Sequence, residues 1–272
     1  MLETLAFGIV AVFALLLIDL AVRRIAGRAD EGSPGRRMLQ AARLFSLFLL
    51  GGTLATNCRH GEDLTTDLLW MGMFGLVGLL ALELAVGIGH RVLAGITAAA
   101  RADNLAAATV QASHTVAIGI LIANVFGGRS FAELGLAIAS FAIGQATLLL
   151  LVWLFRRLTT YDDRAQVLAR NVAAALSHGG LTIAMALLIA YATDGPYQDP
   201  VMALSSYGIA LAEGLVVYPL RQVVVQCLIL RARPTLFGGE LDRAIGERSD
   251  IGAGALEGAT YLAAALFVRS LG

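Results

Sequence analysis

Ionisable side chains set inside long apolar runs are the residues of this sequence best placed to do chemistry. They are Asp19, Arg43, Glu83, His114, His178, Glu213, Arg221 and Glu257, joined by the amides Gln111, Gln145, Gln222 and Gln226. A charged group at the centre of a bilayer costs roughly 2.5–3.5 kcal/mol on insertion scales, so each needs a partner, a water-filled cavity or a function. Four acids (Asp19, Glu83, Glu213 and Glu257) stand against two bases (Arg43 and Arg221). If ionised, that excess favours a cation. Glu213 is the leading candidate, because a helix starting at residue 201 carries it about 18 Å inward, near mid-bilayer. Gly214 and Pro219 follow it, and a proline in a helix predicts a bend that frees backbone groups. Arg221 lies eight residues on, about 80° around the helix, so it is a strained partner for Glu213.

His114 and His178 are embedded among small polar residues. Paired histidines suggest a metal or haem, a proton or cation relay, or helix-to-helix hydrogen bonds. No carboxylate or Cys stands at ligand spacing beside them, so the hydrogen-bonding reading leads and no metal or cofactor is expected. Ser113 and His114 are adjacent and diverge on a helix, which speaks against a nucleophile–base pair. The chain also lacks a P-loop, a nucleophile elbow, His-Glu-x-x-His and Cys-x-x-Cys, so an enzyme is not expected.

The elements that must hold these residues follow from composition. Of 272 residues, 58% are apolar and only 15% charged, against about 25% charged in ordinary soluble domains. Such a chain is neither disordered nor a soluble globule. Apolar runs at 4–22, 38–57, 66–90, 104–125, 132–155, 171–192, 201–230 and 251–270 predict eight transmembrane helices, an all-α membrane bundle that contacts the lipid bilayer. The first run lacks a basic segment before it and is read as a span, not a signal peptide. The loops 23–37, 91–103, 156–170 and 231–250 hold most of the arginines, while the alternate loops hold only Arg59 and Arg129. The positive-inside rule places the Arg-rich loops in the cytoplasm and both termini outside. Zero net charge implies no nucleic-acid partner. Two cysteines, Cys58 and Cys227, exclude a disulfide framework.

The even-numbered spans begin alike. Residues 103–126 and 170–193 align without a gap at an offset of 67 residues, and 250–268 and 37–55 repeat the pattern more weakly. The chain therefore reads as four helical hairpins, 1–65, 66–131, 132–200 and 201–272, parallel in the membrane because an even number of spans separates the copies. Arg43 and Glu257 occupy matching positions in the first and last hairpins and would pair if the hairpins closed into a ring. Small-residue starts such as Ala106–Ala108 and Ala173–Ala175 favour close helix packing.

The stretch 141–189, with Thr160, Tyr161 and Asp162 in a short loop and Asn171, Ala173 and Ala174 opening the next helix, resembles the YjfL-like bacterial inner-membrane proteins, catalogued as domain of unknown function 350. At 170 this chain has Arg where that family often has Gly. The resemblance implies an inner-membrane protein with no dedicated catalytic motif, often encoded beside polyamine-related synthetases and envelope-stress proteins. Two functions are open. One is a channel or transporter for a small cation, with a polyamine as the guess, through Glu213, Glu83, Glu257, His114, His178, Gln145 and Arg221. The other is a scaffold recruiting envelope-stress proteins through the Arg-rich loops. A homo-oligomer is compatible with either.

Overall fold

The computed structural model describes residues 2–25, 32–61, 63–193, 200–235 and 238–271, apart from the side chains of Leu2, Arg23, Ile25, Pro200, Ala203 and Glu213. Every regular element among them is helical. Eight helices are long and apolar enough to cross a membrane, and the protein is a multi-pass, all-α membrane protein. Its first five helices are α1 (Leu2–Ile25), α2 (Pro34–Asn57), α3 (Leu64–Val92), α4 (Ala94–Arg101) and α5 (Leu105–Val125). They are followed by α6 (Phe131–Arg156), α7 (Asp163–Leu168), α8 (Val172–Ala192) and α9 (Pro200–Gly214). Then come α10 (Val217–Arg221), a π-helical stretch (Gln222–Ile229), α11 (Glu240–Gly246) and α12 (Ile251–Leu271).

The core is a row of four spans in the order α2, α5, α8, α12, with α5 and α8 the most buried. Contacts along neighbouring helices advance together, so the row is parallel. Between α2 and α5 they run from Gly35 beside Asp103, through the Ser46 hydroxyl donating 3.1 Å to the Thr115 carbonyl, to Asn57 beside Gly127. Between α5 and α8, Asn104 reaches the Val167 carbonyl at the start and Asn124 the Ala190 carbonyl at the end. Between α8 and α12 the backbones nearly touch: a Cβ on Gly258 would lie 2.7 Å from the Leu176 carbonyl oxygen. Small residues make that approach possible where a bilayer offers no hydrophobic drive between helices. α2 and α12 end the row and share no comparable interface. The row is open, so the expected ring-closing pair of Arg43 with Glu257 does not form.

Short helices precede three of the four inner spans, where the sequence predicts only loops. α4 and α7 end alike. Asp103 and Arg170 adopt left-handed φ values of 60° and 66°. The next N–H, from Asn104 or Asn171, bonds the carbonyl five residues back, the Schellman closure. Each Asn then caps its span, its side chain accepting from Ala107 or Ala174. The same Asn amides donate onward to the next short helix, Asn104 to Val167 at 3.0 Å and Asn171 to Ile245 at 2.8 Å. Asp250 caps α12 after another left-handed residue, Ser249.

The segment 201–230 is not the single longest helix that the sequence predicts; α3 is longer and unbroken. The α-helix stops at Gly214, restarts at Val217 and widens into a π-helix from Gln222. Pro219 has no N–H to continue the ladder across the gap. The bend expected after Glu213 is thus met by an interruption of the α-helix, and Arg221 beyond it is buried.

Candidate functional site

Two buried ionic clusters absorb most of the charge inside the bundle. In the first, Arg43 on α2 donates from Nε to Asp19 on α1 at 2.6 Å and contacts Glu83 on α3 through Nη2. In the second, Arg221 donates from Nε to Glu257 on α12 at 2.7 Å and from Nη2 to Asp242 on α11 at 3.3 Å. Glu257 is fully buried and Arg221 is 1% exposed. Tyr261 donates 3.3 Å to the same Glu257 oxygen, and the Thr160 backbone and hydroxyl hold the far side of Asp242. Arg221 is thus matched to Glu257 and Asp242, and the alternative of an intrahelical partner in Glu213 is not needed. Glu213 lies on α9 directly before the break, and its side chain lies outside the described residues.

Beside the second cluster, at the Arg-rich end, is a cavity of about 730 Å³. Its walls come from the end of α3, the start of α4, and α5, α6, α7 and α8. Arg156, the last residue of α6, organises its polar side. It donates from Nε to His178 Nδ1 at 3.3 Å and from Nη1 to Ser177 at 3.1 Å, and Nη2 lies 2.5 Å from Asp163. Asp163 opens α7, beside the hydroxyl of Thr159 at 3.3 Å. Burial pushes its carboxyl up to about 6, partly opposed by Arg156, and pushes the Tyr161 phenol up as well. His114 also lines the cavity; it is 8% exposed and its Nε2 has no hydrogen-bond partner among the described residues.

The structure therefore brings His114 and His178 to one cavity and joins Glu257 to Arg221. It places Glu83 apart, in the Asp19–Arg43 cluster. Gln145 is buried on α6 with neither amide atom bonded among the described residues, deeper along the face that carries Leu149, Val152 and Arg156 into the cavity wall. Among the described residues no three His, Cys, Asp or Glu side chains gather as a metal would require. Sequence reasoning missed Arg156, Asp163, Asp242 and Tyr261 as site residues. The signal for two of them was legible, since Arg156 ends an apolar run and Asp163 follows within two helical turns, beside the Thr-x-Tyr-Asp-type loop.

The second cluster and most of the cavity wall lie between α6 and α12. A model of the family described as Domain of Unknown Function (DUF350) matches residues 130–271, just over half of the chain. The chain belongs to the DUF350 family. The DUF350 match covers α6 to α12, so Arg156, Asp163, His178, Arg221, Asp242 and Glu257 all fall inside it, whereas His114 and the Arg43 cluster precede it. The left-handed φ at Arg170 gives a physical reason for a glycine there, which has no Cβ to clash. No curated protein and no solved structure matches the chain.

Proposed function

We propose that this DUF350 protein is a small-solute transporter of a bacterial inner membrane, with its Arg-rich loops cytoplasmic, both termini periplasmic, and the cavity between α3 and α8 as its one-sided binding chamber. The observation that carries the reading is the cavity itself: about 730 Å³ suits a small organic molecule, for which pockets of about 300–1,000 Å³ are usual. It reaches buried His114 and half-buried His178 past a rim of charged loop residues. The close-packed row beneath it supports a chamber that opens to one side at a time over a continuous pore.

The cation preference expected from sequence rested on an excess of acids. Asp19 and Glu83 are engaged by Arg43, and Glu257 and Asp242 by Arg221. The chamber wall instead holds three arginines, Arg156, Arg157 and Arg164, against Asp162 and Asp163. Solute charge is therefore read from the chamber, and spermidine becomes the competing solute. The test is uptake into vesicles reconstituted with the purified protein, using potassium, spermidine, hexanoate and hexyl phosphate. Uptake should occur with an anion and be lost when Val152→Trp fills the chamber. Uptake of spermidine alone would restore the cation reading. No uptake of any solute would favour the scaffold, for which the exposed Arg101, Arg243 and Arg248 at the same end supply a docking face. No catalytic role is proposed.

A further inference from the structure

The chamber is open on the outer surface of the bundle as well as at its Arg-rich end. Val92 and Trp153, both within membrane-length helices, line it while remaining 60% and 55% exposed. Trp153 lies inside the apolar span of α6, where an exposed side chain faces lipid, while Val92 is the last residue of α3, at its Arg-rich end. The lining between them, Leu148, Leu149 and Val152, is apolar.

The rim has the opposite character. Arg157 stacks over the Trp153 ring at 5.0 Å, and Arg164 crosses to α4, where a Cβ on Gly95 would lie 2.9 Å from its Nη2. Neither has a carboxylate partner among the described residues, whereas Asp162 is used in capping α7 and Asp163 in pairing Arg156. Among the described residues no side chain caps the first turn of α4; Leu93, which precedes it, and its own Ile96 line the chamber. The first N–H groups of a helix have no partner inside it and suit an anion. At the inner wall, buried His114 presents an Nε2 with no hydrogen-bond partner among the described residues. An uncapped helix start, two uncommitted guanidiniums and an apolar slot open to lipid converge on one cavity.

We propose that this chamber binds an anionic amphipath, a phosphate-bearing head held by Arg157, Arg164 and the start of α4, with its apolar body in the slot against Leu149, Val152 and Trp153. Basic pockets between membrane helices hold lipid head groups in this manner. A soluble alkyl phosphate presents the same chemistry. The inference rests on the chamber being a binding site, and it narrows the anion of the transport reading to an amphipath with a phosphate-bearing head.

The chain contains two tryptophans, so Trp70→Phe leaves Trp153 as the sole indole reporter inside the site. The variant is purified in detergent and titrated with phosphatidylglycerol or phosphatidylcholine carrying brominated acyl chains. Trp153 should be quenched at lower concentrations of the anionic lipid. Arg157→Gln with Arg164→Gln should erase the preference, raising half-saturation about thirtyfold, which is ~2 kcal/mol at ~1.4 kcal/mol per tenfold. Helical circular dichroism and a monodisperse elution profile show whether the double variant folds; if it does not, Arg157→Lys with Arg164→Lys should retain the preference. Equal quenching by both lipids, with saturable and arginine-dependent displacement by hexyl phosphate, assigns the site to a soluble source. Equal quenching with no response to hexyl phosphate overturns the proposal. Binding without vesicle uptake would uphold the site and remove the transport reading, so the two fail separately.

Discussion

Arg221 shows what a buried charge demands of its surroundings. It is held by Glu257 and Asp242 with almost no exposure, and its guanidinium lies 5.5 Å from the Tyr218 ring centroid. Removing one member of such a cluster strands the others, a loss of about 3–5 kcal/mol, while apolar replacement of a whole cluster can be nearly neutral. Arg221→Met should therefore lower the detergent unfolding midpoint sharply, and adding Glu257→Leu and Asp242→Asn should recover much of it. Failure of the combined variant to recover would mean that the three groups do not act as one unit. Asp163 gives a pH signature. Burial raises its carboxyl from the ordinary 3.8 to about 6, so between those values the folded protein holds a proton that the unfolded chain releases. Stability must then fall as pH rises through that window, by up to ~3 kcal/mol. The groups facing it, Arg156, Thr159, Asp162 and Glu257, all remain in Asp163→Asn, which should flatten this part of the profile; an unchanged slope from pH 4.5 to 6.5 would assign it elsewhere.

At the scale of elements, the short helices and their caps fix how each inner span begins. Asn171 makes two jobs of one side chain, capping α8 and reaching the Ile245 carbonyl before α12. Asn171→Ala should cost ~1–2 kcal/mol, at the high end for a cap because a buried carbonyl also loses its donor. Arg170→Gly should be neutral or stabilising by up to ~1 kcal/mol, since the left-handed backbone no longer carries a Cβ. Thermal unfolding of the two variants side by side checks the pair; equal losses would contradict the capping geometry. The spans themselves were legible because twenty apolar residues in a row have few alternatives. α4, α7 and α11 were not, since they are too short for periodicity to register and are held by contacts with neighbouring helices. Glu257 and Arg221 were legible as out of place in hydrocarbon. That they meet was not, because they stand on different helices 36 residues apart, and no local pattern specifies how those helices come into register.

For the whole molecule, the orientation proposed from the arginines has a direct check. Single cysteines at Arg36, Arg164 and Arg233, in a background with Cys58 and Cys227 replaced, should resist a membrane-impermeant reagent in intact cells and react after permeabilisation. Strong labelling from outside at any of them would invert the topology. The parallel row carries a consequence of its own. Peptide dipoles add along a helix, leaving about half an elementary positive charge at its start and half a negative charge at its end. Spans α2, α5, α8 and α12 point the same way, so the four positive poles gather at the Arg-rich face. The spans between them return in the opposite direction, and α6 among them is less buried than any member of the row. The inner row is thereby polarised across the membrane, and the returning spans are polarised in reverse.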